Sequence, residues 1–97
     1  MNSDELRQVK ALLVQDLRLA NAIENPNLED LQNWLAKEIA RLMDSDFQAF
    51  LNLLYRIDIN EEKSRQAFAE HDPPGQFARL IIERELQKVV TRIKYTQ

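Results

Sequence analysis

The run Asp72-Pro73-Pro74-Gly75-Gln76-Phe77-Ala78-Arg79-Leu80-Ile81-Ile82-Glu83-Arg84-Glu85-Leu86-Gln87-Lys88-Val89 decides the fold. Asp72 is a helix N-cap, and Pro73 suits the first helical position, where an N–H would lack a partner in any case. From there a helix can run to about Lys94. Its main seam, Ile82, Leu86, Val89 and Ile93, clusters within about 60° of the helical wheel, while Phe77, Leu80 and Ile81 point to the opposite side. The first two turns are therefore apolar almost all round. Either they are sandwiched inside a bundle, or they cover a second surface supplied by another chain.

Upstream of this run, Asp58 and Asn60 are alternative caps for a short helix from Glu61 to Phe68, with Phe68 as its expected anchor. That segment is weakly amphipathic and is expected to be among the less stable parts of the fold. Ser45 with Gln48 forms a capping-box pattern, which predicts a third helix carrying Phe47, Phe50, Leu51, Leu54 and Ile57 on one face. Asn27 with Asp30 caps a second helix, whose stripe is Leu28, Leu31, Leu35, Ile39 and Leu42 with Trp34 at its edge. Trp34 reads as a ring buried in the fold with its indole N–H at the rim. Asn2 with Glu5 opens a first helix over roughly residues 3 to 23, ended by Asn25-Pro26. Its broad stripe of Leu6, Val9, Leu13, Leu17 and Ala20, widened by Leu12, Leu19 and Ile23, fits packing against two neighbours. The expected fold is all-α: a compact bundle of about five helices with short turns, one domain over residues 1–97.

Composition points the same way. The 97 residues are 44% hydrophobic and 30% charged, an ordinary globular balance, with one Gly and three Pro to interrupt helices. The absence of Cys removes disulfides, thiolate metal sites and thiol catalysis, and the single histidine, His71, removes any His-rich site. The first helix opens on Asp4 and Glu5 rather than a basic and then apolar leader, and no apolar run approaches the ~18 residues of a membrane span. A cytoplasmic protein with no membrane span is expected. Net charge is −3, unevenly distributed: residues 76–97 carry five basic and two acidic side chains, leaving eight and fourteen in the first 75.

No motif for chemistry survives inspection. Asp58 and Asn60 match the first and third positions of a calcium loop, but Lys63 stands where the loop needs Gly and Ala69 where it needs a bidentate Glu. His71 lies in a Pro-rich turn without a Ser or Cys placed to be activated, and Gly75 alone cannot cradle a phosphate. A helix-turn-helix DNA reader needs basic and amide side chains early in its recognition helix, where the third helix offers Gln48 and Asn52. A carboxylate enzyme needs paired acids in a cleft with raised pKa, and the spacing singles out no such pair. The expected protein is not an enzyme and has no cofactor, metal site or evident small-molecule substrate.

Arg84, Lys88 and Arg92 recur every four residues, with Thr91 and Tyr95 near the same face. They form either a solvated face that complements the helix dipole or a ridge for an acidic partner. The runs Leu53-Leu54-Tyr55-Arg56-Ile57-Asp58-Ile59-Asn60-Glu61-Glu62-Lys63 and Leu80-Ile81-Ile82-Glu83-Arg84-Glu85-Leu86-Gln87-Lys88 resemble those of small, functionally uncharacterised bacterial helical proteins. The resemblance implies a bacterial cytoplasmic protein and carries no activity or site with it. The functional expectation is a protein-protein interaction or adaptor module that binds a protein partner or its own copy through Phe77, Leu80, Ile81, Arg84, Lys88 and Arg92. Its alternative is a nucleic-acid-associated regulator using the basic face, with binding that falls steeply with salt.

Overall fold

Each helix among the described residues begins on an Asn or Asp whose side chain accepts a backbone N–H three residues ahead. In the computed structural model, which describes residues 1–19, 23–24 and 26–96 and side chains through Arg92, the helices are α1 (Ser3–Leu17), α2 (Leu28–Ser45), α3 (Phe47–Ile57), α4 (Glu61–Ala69) and α5 (Pro73–Thr96). Their caps are Asn2, Asn27, Asp46, Asn60 and Asp72. At Asn2 and Asn27 the box is reciprocal, with Glu5 and Asp30 accepting from the cap's own N–H. Gly75 fits the last cap because its bare Cα leaves room for the Asp72 carboxylate, which a Cβ there would strike. All regular structure among the described residues is helical.

One of these starts corrects the sequence reading and another decides between its two alternatives. The third helix is capped by Asp46 instead of Ser45, which is still the last residue of α2. One residue separates the two helices: the Asp46 N–H closes α2 on the Leu42 carbonyl at 2.8 Å while its carboxylate opens α3. At the fourth helix Asn60 is the cap, because Asp58 is already used to end α3. Leu28 and Phe47, assigned to core stripes by their spacing, sit in first turns and remain partly exposed, at 39% and 46%.

α1 is shorter than its apolar pattern predicts. It stops at Leu17, with Arg18 in the left-handed region at φ 55°. The Leu19 N–H then bonds the Val14 carbonyl and the Arg18 N–H that of Gln15, a Schellman ending. Ile23 still packs against the core and Leu19 is half-buried, whereas Ala20 and Asn25 lie outside the described residues. α3 ends the same way on Asp58 at φ 67°, with Ile59 bonding back to Leu54.

α5 is the pillar of the bundle and packs against each of the other four helices. At 1.5 Å per residue its 24 residues span about 36 Å, close to the 39 Å long axis of the molecule. Val9 and Leu13 of α1, Leu31, Leu35 and Ile39 of α2, Phe50, Leu53 and Ile57 of α3 and Ala67 of α4 bury against Phe77, Ala78, Ile81, Ile82 and Val89. All four phenylalanines gather where α3, α4 and α5 meet: the ring of Phe77 lies 5.0 Å from Phe50 and 4.7 Å from Phe68, both edge-on, and Phe47 lies 5.9 Å from Phe68. Edge-to-face pairs of this kind contribute ~0.5–1.5 kcal/mol each beyond burial. α4 is therefore held by buried Ala67 as well as by half-covered Phe68.

Candidate functional site

The six residues nominated on α5 fall into three environments. Phe77 and Ile81 are fully buried in the core of the single chain. Their apolar surface is covered by the other helices of the same molecule, so they offer nothing to a second copy, and the expectation that they form a partner surface is corrected. Leu80 is half-buried beside the core and Arg92 is exposed near the end of the helix. Trp34 is half-buried at the core edge.

Arg84 and Lys88 each hold a specific position inside the fold. The Arg84 guanidinium donates from Nε to the Asp58 carbonyl at 3.2 Å and from Nη2 to Asp58 Oδ2 at 3.4 Å. A cation from α5 thus closes the C-terminus of α3, where backbone carbonyls point outward unbonded. Arg56 of α3 does the same for α1, donating from Nη2 to the Asp16 carbonyl at 2.7 Å. No spacing rule reports such pairs, since 26 and 40 residues of chain separate the partners.

Next to the Arg84 contact, the turn from Asp58 to Asn60 and the first turn of α4 stand off from α5 and leave a groove of roughly 200 Å³. Ile59 and Leu80 give it an apolar floor, and Asn60 and Gln87 supply amides at its edge. Lys63 and Glu83 face it from α4 and α5, and neither takes part in the five ion pairs of the described residues. A recess of roughly 340 Å³ lies between the start of α1 and Pro26; Arg7 there is paired with Asp4 at 2.9 Å.

Lys88 donates from Nζ to Glu85 Oε1 at 3.1 Å. Glu85 is the residue that reading the sequence missed. It is 0% exposed, it is the one buried charged side chain among the described residues, and its Oε2 has no hydrogen-bond donor. Burial pushes the carboxyl above the usual range, Lys88 pulls it down, and the neighbouring Asp16 carboxylate of α1 pushes it up again. Asp16 and Glu85 are thus paired acids from different helices, closed off from solvent at Glu85 instead of opening into a cleft. The signal was present as spacing: Phe77, Ile81, Glu85 and Val89 lie four residues apart on one row of the helix.

Neither a family model, a curated protein nor a solved structure matches this chain. The functional reading therefore rests on the groove.

Proposed function

We propose that the protein is a non-enzymatic interaction module that holds an extended segment of a partner protein in the groove between the Asp58–Lys63 turn and α5. The observation that carries this reading is the groove itself, an apolar floor flanked by Lys63 and Glu83, neither of which takes part in an ion pair among the described residues. An apolar side chain seated on Ile59 and Leu80 would anchor the segment, and an acid toward Lys63 and a base toward Glu83 would fix its direction. Asn60 and Gln87 supply side-chain donors and acceptors for a partner's backbone amides. A different protein is favoured over a second copy, since the apolar half of α5 that suggested self-association lies inside the fold. Arg84 and Lys88 serve Asp58 and Glu85, so no specific observation favours the nucleic-acid alternative.

A photo-crosslinking residue placed at Lys63, with control positions at exposed Tyr55 and Val90, tests this in cells that express the protein. The expected result is one adduct of discrete mass from position 63, with the crosslinked partner then binding the purified chain. Lys63→Glu and Glu83→Lys are both on exposed positions and leave the core intact. Each is expected to weaken that binding about tenfold, roughly one rim charge pair in a desolvated setting. Adducts from the control positions alone, or binding indifferent to both reversals, would contradict the groove.

A further inference from the structure

The cluster of four phenylalanines covers two of its rings and leaves two in the open. Phe50 and Phe77 are fully buried, whereas Phe47 and Phe68, 5.9 Å apart, are partly exposed. The exposed pair marks one end of the bundle, where the end of α2 and the start of α3 meet the end of α4 and the start of α5. It lies at the end of α4 away from Lys63 and the groove.

Charge at this end has one sign. Residues 43–51 and 66–74, which flank the two rings in the chain, hold Asp44, Asp46, Glu70 and Asp72, with no Lys or Arg and with His71 as their one basic group. Asp46 and Asp72 each accept a backbone N–H as caps. Asp44 and Glu70 are exposed and take part in none of the five ion pairs of the described residues. The arginines nearest in sequence, Arg41 and Arg65, are paired with Glu38 and Glu62 along their own helices. Arg79 stands about 160° round α5 from Phe77 and so faces away from the rings. Lys88 and Arg92 lie about 16 and 22 Å beyond Phe77 at 1.5 Å per residue.

The backbone adds to the same sign. α2 and α4 both end here, and neither has a basic side chain in its last turn, where outward carbonyls form the negative end of the dipole. By contrast, the ends of α1 and α3 each receive a guanidinium from another helix, Arg56 and Arg84. Where α2 and α4 end, acids and exposed aromatic rings stand instead.

We propose that this end of the bundle is a second docking surface, and that it takes an arginine-bearing segment of another protein with an apolar residue beside the arginine. A guanidinium stacks on aromatic faces and donates in several directions at once. It can therefore lie on Phe47 or Phe68 while its N–H groups serve Asp44, Glu70 and the last carbonyls of α2 and α4. Lysine, a compact and strongly hydrated charge, does less of both. The apolar neighbour covers the ring surface that remains. Four acids favour a basic segment and reject an acidic one.

A displayed library of random peptides, selected on the intact purified chain, supplies the probe. Enriched sequences are expected to carry arginine next to an aliphatic or aromatic residue, and the synthetic peptides to shift the amide signals of residues 44–48 and 68–72. Citrulline in place of that arginine keeps its shape and removes its charge, and is expected to weaken binding about tenfold or more. Asp44→Lys and Glu70→Lys are each expected to weaken the parent peptide about tenfold, and its binding to fall as salt rises. Both substitutions put a cation at a helix C-terminus, so the thermal midpoint is expected to hold or rise. Lost binding with kept stability separates docking from folding. A selection that enriches no arginine-bearing peptide, or peptides indifferent to both reversals, overturns the proposal. Peptides that shift only residues 58–63 and 83–87 overturn it too, while supporting the groove. A chain that is dimeric in solution and that Phe47→Ser makes monomeric assigns this face to a second copy and overturns it likewise.

Discussion

A carboxyl in the middle of a helix's buried arc and two non-glycine residues in left-handed backbone are the positions where this chain departs from the simplest rules. At Glu85 the departure costs stability. Met has a similar length and no polar atoms, and Lys88, with 30% of its side chain exposed, can turn its ammonium to water once the acid is gone. Glu85→Met is therefore expected to stabilise the protein by about 1–3 kcal/mol near pH 8 and by less as the pH falls, since proton binding to the raised carboxyl favours the folded wild type. Urea unfolding at pH 8 and at lower pH measures this. Arg18 is exposed and at φ 55°, a region that glycine enters without strain. Arg18→Gly is expected to raise stability by about 0.5–1 kcal/mol, seen as a higher thermal midpoint. Glu85 was hidden in the sequence because charge reads as solvent exposure, and the row Phe77, Ile81, Glu85 and Val89 was outweighed by the acid within it. The left-handed positions were hidden because the chain has one glycine, and it lies at a helix start.

At the scale of elements, helix starts were more legible than helix ends, of which that of α1 was misread by six residues. A start is local: an Asn or Asp and its acceptor geometry lie within three residues, so Asn2, Asn27 and Asp72 could be read directly. The Ser45 assignment failed by one residue because Asp46, with a charged acceptor, competes for the same cap. The ends of α1 and α3 depend on long-range partners, Arg56 and Arg84, which reach across the fold to their carbonyls. Arg84→Met keeps much of the aliphatic stem but removes the cap on Asp58. It is expected to cost about 1 kcal/mol, with faster exchange of the last amides of α3. Asp58→Asn is expected to stay within about 0.5 kcal/mol, since that carboxylate is 85% exposed and an ion pair in water contributes little.

For the whole molecule, periodicity identified a helix whose first two turns are apolar almost all round but could not say what covers them. The same pattern serves a central helix and an interface helix, and the difference lies in where the other four helices go. They surround α5, so the groove beside Leu80 and Arg84, rather than the face of Phe77 and Ile81, is the part of that helix left for a partner. No helix among the described residues is long and apolar enough to cross a membrane. The most direct test of α5 as the pillar is the urea unfolding of Ile81→Glu. A charge placed at that fully buried position, without a partner and with the loss of an aliphatic side chain, is expected to cost more than about 4 kcal/mol. That is a large part of a small domain's stability of about 5–15 kcal/mol, so the cooperative transition should be lost or shifted far toward zero denaturant. A folded Ile81→Glu with an unchanged midpoint would contradict it and return that face of the helix to the surface.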